Sequence, residues 1–64
     1  MTREERILSD IEVWENAAIV YASDIETAIK YGDYGGLKYN EHMIQFSKER
    51  IQALEAELQQ LKSA

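Results

Sequence analysis

Residues 30–40, KYGDYGGLKYN, decide the fold of this chain. They contain all three glycines and three of the four tyrosines, and the chain has no proline. The segments on either side contain neither glycine nor proline, so a helix can run through each of them without interruption. Glycine adopts the left-handed and turn conformations that end helices at little steric cost. We therefore expect residues 32–39 to form a bend between two helices.

The segment before the bend has the pattern of one long helix. Thr2 and Glu5 are spaced as a capping box, in which each side chain accepts a hydrogen bond from the backbone of the other residue. Gly32 follows the segment and can take the left-handed conformation that ends many helices. The first helix is therefore predicted over residues 3–31. Its apolar residues recur with alternating steps of four and three, as in paired helices, at Ile7, Ile11, Trp14, Ala18, Tyr21, Ile25 and Ala28.

The segment after the bend predicts a second helix over residues 40–62. Asn40 is the expected N-cap, and Glu41 lies in the first turn, where a carboxylate suits the positive end of the helix dipole. The same alternating steps occur at Ile44, Ser47, Ile51, Leu54, Leu58 and Leu61. Two such helices joined by a bend predict an all-α, antiparallel two-helix hairpin, a single domain of residues 1–64. The first helix would extend beyond the second by roughly two turns.

The first helix carries a second apolar stripe, formed by Val13, Ala17 and Val20, beside its inward positions. One partner helix cannot cover so wide an apolar arc. The second helix has a narrower stripe flanked by charged and glutamine side chains, which is typical of an outer helix. We therefore expect two hairpins to associate through their first helices into a four-helix bundle. The predicted interface residues are Val13, Trp14, Ala17, Val20, Tyr21, Asp24 and Phe46.

Two known classes of helical hairpin share features with this prediction. In general shape the bundle resembles the small plasmid-encoded RNA-binding hairpin dimers, but the chain lacks the basic recognition face of those proteins. Residues 51–56, IQALEA, give the second helix an Ala-Leu-rich stretch. In length, polar bend and this stretch the chain resembles the short hairpin co-chaperones of type III secretion needles, which implies a co-chaperone-like role as one alternative.

The charge and the apolar runs exclude several classes of partner. Twelve acidic and seven basic residues give a formal net charge of −5, and the basic residues are spread along the chain. Nucleic-acid binding depends on clustered Lys and Arg, so we expect no direct contact with DNA or RNA. The longest apolar run, residues 17–22, is far shorter than the roughly 20 residues of a membrane span, and the N-terminus lacks a signal-peptide pattern. We expect a cytoplasmic protein.

The bend has two interpretations. In the first, the glycines only turn the chain, and the tyrosines cap the end of the core. In the second, the glycine amides face an anion, the lysines supply charge, and the tyrosines stack on a small molecule or nucleotide. The spacing matches neither the P-loop nor the dinucleotide fingerprint, which favours the first interpretation. The ligand-binding residues of the second would be Lys30, Tyr31, Tyr34, Gly35, Gly36, Lys38 and Tyr39.

The sequence shows no pattern typical of catalysis or metal binding. His42 stands beside Glu41 and lacks the i,i+3 or i,i+4 carboxylate of helical metal sites. Without cysteine the chain can form neither disulfides nor thiolate metal sites. We expect no enzyme activity, no cofactor and no metal. The favoured function is a self-associating adaptor or inhibitor that binds a protein partner through its helix faces, and its acidic surface suits a target that normally holds nucleic acid.

Overall fold

The computed structural model describes residues 1–63, and in them two α-helices run antiparallel. Helix α1 spans Arg3–Tyr31, helix α2 spans Tyr34–Ser63, and only Gly32 and Asp33 lie between them. The principal dimensions are 49 × 18 × 11 Å, as expected of a flat pair of helices. The predicted all-α antiparallel hairpin is confirmed.

Both ends of α1 are formed by the residues that the sequence indicated. The Thr2 hydroxyl accepts a hydrogen bond from the Glu5 N–H at 3.1 Å, and the Glu5 carboxylate accepts one from the Thr2 N–H at 3.0 Å. At the other end Gly32 is left-handed, with φ of 70°. The N–H of the following residue, Asp33, donates to the Ala28 carbonyl at 2.8 Å, which completes the glycine-based helix end. The capping box and the predicted bounds of α1 are confirmed.

The predicted start of α2 is wrong, because the helix begins at Tyr34 rather than at Asn40. Asp33 caps it: its carboxylate oxygen Oδ1 accepts from the Gly36 N–H at 2.9 Å, and its carbonyl accepts from the Leu37 N–H at 2.9 Å. Residues 34–39, assigned to the bend, are therefore helical. A Cβ atom on Gly36 would lie 2.9 Å from Cγ of Asp33, so the missing side chain makes room for the capping carboxylate.

The predicted overhang of the first helix is also wrong, because α1 has 29 residues and α2 has 30. The stripe of α2 continues back from Ile44 to Asn40 and Leu37 with the same steps of four and three. Asn40 is thus a buried residue of the helix pair, not an N-cap, and its side-chain NH₂ donates to the Gly36 carbonyl at 2.8 Å. The two helices can therefore pair along their whole length.

The core between the helices is thin. Among residues 1–63, the buried apolar side chains are those of Ile7, Ala28 and Leu54, and the other predicted inward positions are buried or half-buried. Ser47 is fully buried, and its hydroxyl donates to the carbonyl of Met43 at 2.7 Å. Such a bond to the preceding turn satisfies a buried hydroxyl without a partner on the other helix. A core of this size leaves much apolar surface outside it.

Candidate functional site

Two rows of residues define one long face of the hairpin. On α1 the row repeats every seven residues, and on α2 a matching row does the same. The side chains of Arg3 and Glu57, at the open end of the two rows, lie 3.0 Å apart, so the rows run next to each other. The α1 row is Arg3, Asp10, Ala17, Asp24 and Tyr31, and the α2 row is Gly36, Met43, Arg50 and Glu57.

The middle of this face is aromatic and apolar. Trp14 packs edge-to-face on Phe46, with ring centroids 5.4 Å apart and an interplanar angle of 67°. One heptad further along each helix, Tyr21 packs on Tyr39 in the same way, at 6.4 Å and 78°. Edge-to-face pairs of this kind contribute beyond their buried area, so they fix the alignment of the helices. We call the following residues the aromatic face: Val13, Trp14, Ala17, Val20, Tyr21, Tyr39, Met43 and Phe46.

The aromatic face is largely open to solvent. Val13 is 61% exposed, Val20 is 57%, Tyr39 is 58% and Phe46 is 40%. The hairpin's own helices therefore leave the outer side chains of this face uncovered. A contiguous apolar patch with polar ends is a feature of protein-binding surfaces, whereas apolar side chains scattered singly are not.

The structure brings the predicted interface residues onto this one face. Trp14, Ala17 and Tyr21 are half-buried at its centre. The exposed residues Val13, Val20 and Phe46 flank them, and Asp24, also exposed, lies at the edge of the face. The predicted interface did not include Tyr39, which was assigned to the bend, or Met43, which was placed in the first turn of a shorter second helix. The seven-residue spacing that joins Tyr39 to Phe46 and Met43 to Arg50 was the signal that could have found them.

The predicted ligand-binding residues of the bend do not form one site. Lys30 Nζ lies 5.7 Å from the centre of the Tyr31 ring, and Tyr31 and Tyr34 are 73% and 78% exposed. Tyr39 instead packs on Tyr21 in the aromatic face. Lys38 is exposed.

The two glycines among the predicted ligand-binding residues, Gly35 and Gly36, lie in the first turn of α2. The amide of Gly36, which was expected to face an anion, is bonded to the carboxylate of Asp33. That carboxylate also brings negative charge to the end of α2 where an anion would have to bind. The geometry therefore favours a turn over an anion site here.

A cavity lies at each end of the aromatic face. The one at the open end has a volume of about 370 Å³ and is lined by Arg3, Arg6, Asp10 and Glu57 above Ile7 and Leu54. The one at the turn end has a volume of about 220 Å³, and its charged lining residues are Asp24 and Asp33. The open-end cavity is thus lined by two arginines and two carboxylates, and the charged residues that line the turn-end cavity are both acidic.

One carboxyl group in the described part of the chain has a clearly shifted pKa. The backbone N–H and then the hydroxyl of Thr2 hold the pKa of Glu5 below its ordinary value of 4.5. Among residues 1–63, no group of three or more His, Cys, Asp or Glu side chains is placed to hold a metal ion. Neither described helix has an apolar stretch long enough to cross a bilayer.

Comparisons with protein-family models, with curated proteins and with solved structures find no match to this chain. The function has to be inferred from the aromatic face and the two charged ends that flank it.

Proposed function

We propose that this chain is a small, non-enzymatic protein–protein interaction module that self-associates through its aromatic face. Two hairpins would lie face to face and form a four-helix bundle, in which each aromatic face covers the other. The observation that carries this proposal is the apolar face shared by both helices, with Val13, Val20, Tyr39 and Phe46 all at least 40% exposed. In a monomer these side chains would remain in water.

The accessible surface supports association. The chain exposes 4902 Å², whereas a compact monomer of 7.4 kDa is expected to expose about 4200 Å². The excess of about 700 Å² is close to the roughly 800 Å² that each partner buries in a standard stable interface. A second copy on the aromatic face would therefore bring the exposed surface per chain to that of an ordinary small protein.

The shape of the face suits a second helical layer. Ala17 lies at its centre, where a small side chain lets two helices approach closely. The outer rows of α1 and α2 are rich in charge, and the net charge is −5 per chain. The bundle would therefore present an acidic outer surface, with which it acts as an adaptor or inhibitor toward a protein that has a basic surface, such as one that normally holds nucleic acid.

The test compares two neighbouring residues on α1. Val20 belongs to the aromatic face, whereas Ile19 lies in the row that contains Glu12 and Glu26, about 100° away around the helix. The two side chains are similarly exposed, at 57% and 68%. Val20→Glu should abolish association, because an unpaired carboxylate buried in an interface costs several kcal/mol. Ile19→Glu should leave association unchanged.

Sedimentation or light scattering at a low and a high protein concentration gives the mass, and circular dichroism gives the helix content. The expected result is a dimer for the wild type and for Ile19→Glu, and a folded, helical monomer for Val20→Glu. A wild-type chain that stays monomeric at the high concentration would overturn self-association. Equal effects of the two substitutions would show that the aromatic face is not the interface.

A further inference from the structure

The two halves of the aromatic face differ in side-chain size, and the rows that continue from them carry complementary charges. Both features decide how a second copy can lie on the face. Resting on the self-association proposed above, we propose that the two copies lie with their turns at the same end of the bundle, so that α1 of each copy packs on α2 of the other. Asp10 of each copy then faces Arg50 of the other copy, and the dimer has two equivalent ion pairs.

The contacts within one hairpin give the level of each residue along the long axis. The pairs in contact are Arg3 with Glu57, Trp14 with Phe46, and Tyr21 with Tyr39. The α2 numbers therefore fall as the α1 numbers rise. The same alignment places Asp10 level with Arg50. It also places Ala17 level with Met43, in the middle of the face.

Two face-to-face arrangements of the hairpins have twofold symmetry. When the axis runs along the helices, both turns lie at the same end, every residue keeps its level, and α1 of each copy lies on α2 of the other. When the axis runs across the helices, the turns lie at opposite ends, and each helix lies on its own counterpart. The expectation from the sequence, that the first helices meet, corresponds to the second arrangement.

Side-chain size favours the arrangement with the turns at the same end. The outer residues of the face are small on α1 and large on α2: Val13, Ala17 and Val20 lie level with Phe46, Met43 and Tyr39, in that order. With the turns at the same end, a small side chain therefore meets a large one at every level, as a well-packed interface requires. With the turns at opposite ends, small residues meet small ones on one side, and large residues meet large ones on the other. One side would be underfilled and the other crowded.

The charges favour the same arrangement. With the turns at the same end, Asp10 faces Arg50 of the other copy. Arg3 likewise faces Glu57, so the facing charges are opposite in sign at both levels. With the turns at opposite ends and the aromatic faces centred on each other, Asp10 instead faces Asp24, and the two carboxylates repel at two symmetric positions. Electrostatic complementarity across an interface fixes orientation, so the charges select the turns at the same end.

The acidic turn end does not reverse this preference. Asp24 and Asp33 are both exposed, and Asp24 faces the uncharged Gly36 of the other copy. The two Asp24 residues lie on diagonal helices, whose axes are about 14 Å apart when neighbouring axes are about 10 Å apart. Salt at physiological strength screens exposed charges beyond about 8 Å. Their repulsion is therefore weaker than that of carboxylates that face each other directly.

Asp10 and Arg50 are available for a contact between copies. Both are exposed, and neither takes part in a salt bridge within residues 1–63. Asp10 lies one heptad before Ala17 in the α1 row, and Arg50 lies one heptad after Met43 in the α2 row. The apolar contacts of the face would therefore continue directly into the two ion pairs.

The test is a charge exchange between chains, made with the purified full chain. Asp10→Lys alone and Arg50→Glu alone should each weaken the dimer about tenfold, because each places like charges together at two symmetric positions. An equal mixture of the two variants should restore association to about the wild-type level, because the mixed dimer forms both ion pairs again. Within each chain of the mixture, positions 10 and 50 carry like charges, so the rescue can come only from contacts between chains. Native mass spectrometry identifies the mixed dimer.

Asp24→Lys is the matched comparison for Asp10→Lys, because both substitutions change the net charge of the chain by the same amount. With the turns at the same end, only Asp10→Lys places like charges face to face, so Asp10→Lys should associate more weakly than Asp24→Lys. With the turns at opposite ends, each variant replaces a repulsion by an attraction, and both should associate more tightly than the wild type. Circular dichroism checks that the variants remain helical.

A crosslink provides a measurement that does not depend on the charge variants. The chain has no cysteine, so introduced cysteines have no competitor. With the turns at the same end, Ala17 faces Met43, and a mixture of Ala17→Cys and Met43→Cys should form a disulfide-linked mixed dimer on oxidation. The two Ala17 residues lie on diagonal helices with Cα atoms about 9 Å apart, too far for a disulfide. With the turns at opposite ends, Ala17→Cys alone should crosslink.

The arrangement and the proposed self-association can fail separately. Rescue in the charge mixture, together with the crosslink in the cysteine mixture, supports the turns at the same end. A wild-type dimer without rescue, or one in which Ala17→Cys alone crosslinks, overturns the arrangement and leaves self-association intact. A wild-type chain that stays monomeric overturns both.

Discussion

The two ends of the hairpin are fixed by different chemistry: main-chain hydrogen bonds at the turn, and exposed side chains at the open end. At the turn, the N–H of Gly32 donates to the carbonyl of Ile29 at 3.2 Å, and the N–H of Asp33 donates to that of Ala28 at 2.8 Å. The left-handed conformation of Gly32 brings the second of these donors, the N–H of Asp33, into position. Salt screens interactions between charges, so these neutral bonds should not weaken as the ionic strength rises.

At the open end, Arg3 lies 3.0 Å from Glu57, and Lys62 lies 4.0 Å from Glu4. All four side chains are at least 42% exposed. Exposed ion pairs contribute little to stability, and salt weakens them further. The hairpin is therefore anchored at its turn, and its open end should fray first.

Of the substitutions that test this comparison of the two ends, Gly32→Ala should change the unfolding free energy most. The φ angle of Gly32 is +70°, and nothing lies within 4 Å of the Cβ that alanine would add. The cost is therefore one of backbone conformation alone, about 1–2 kcal/mol of unfolding free energy for an L-residue in the left-handed region. Urea denaturation followed by circular dichroism measures it, at one fixed chain concentration because the proposed association would add to stability.

Gly35→Ala is the matched control and should change stability in the opposite direction. Gly35 is helical, and its added Cβ would meet the Asp33 carboxylate at 3.7 Å, an ordinary contact. Alanine should therefore raise the unfolding free energy by up to about 1 kcal/mol through its higher helix propensity. If both substitutions were destabilising by the same amount, Gly32 alone would not be the turn residue.

This pair of glycines also shows what the sequence could and could not predict. The bounds of α1 were predictable, because Thr2, Glu5 and Gly32 act locally and each has a known preference. The start of α2 was not predictable, because glycine is typical of bends and the sequence alone does not distinguish a glycine in a bend from one in a helix. Gly36 is tolerated in the helix because the carboxylate of Asp33 occupies the space that a side chain would need.

The aromatic face was predictable in part for a similar reason. The α1 stripe follows from spacing within one helix, so Val13 and Val20 were identified. The α2 half depends on the register between the helices, which was uncertain while the length of the turn was unknown. Once α2 begins at Tyr34, Tyr39 falls opposite Tyr21, and Phe46 falls opposite Trp14.

The capping box makes part of the open end sensitive to acid. The pKa of Glu5 is lowered in the folded state by its hydrogen bonds with Thr2, from an ordinary value of 4.5. A group with a lowered folded pKa stabilises the fold above its unfolded pKa, and this contribution is lost as the pH falls through the folded pKa. We expect Glu5→Gln to be slightly less stable than the wild type near neutral pH and equally stable in acid.

The difference between the two unfolding free energies, measured from pH 7 down to pH 3, isolates Glu5 from the other carboxylates, since those titrate in both chains. Glutamine keeps an oxygen that can accept from the Thr2 N–H, so the change removes charge and little else. A difference that stayed constant across this range would contradict the assignment of the shift to the capping box.

Arg3→Ala should have the smallest effect, and it tests the comparison most directly. The ion pair with Glu57 is short, but its side chains are 68% and 42% exposed, so its loss should lower the unfolding free energy by less than about 0.5 kcal/mol. Adding salt should remove even that difference, because it screens the pair in the wild type. Amide hydrogen exchange in the first turns of α1 should rise in the variant, while exchange at Gly32 and Asp33 stays unchanged.

Arg6→Ala, which removes an arginine that forms no salt bridge among residues 1–63, controls for the loss of charge alone. If Arg3→Ala were more destabilising than Gly32→Ala, or faster exchange spread to the turn, the open end and not the turn would be the anchor of the hairpin.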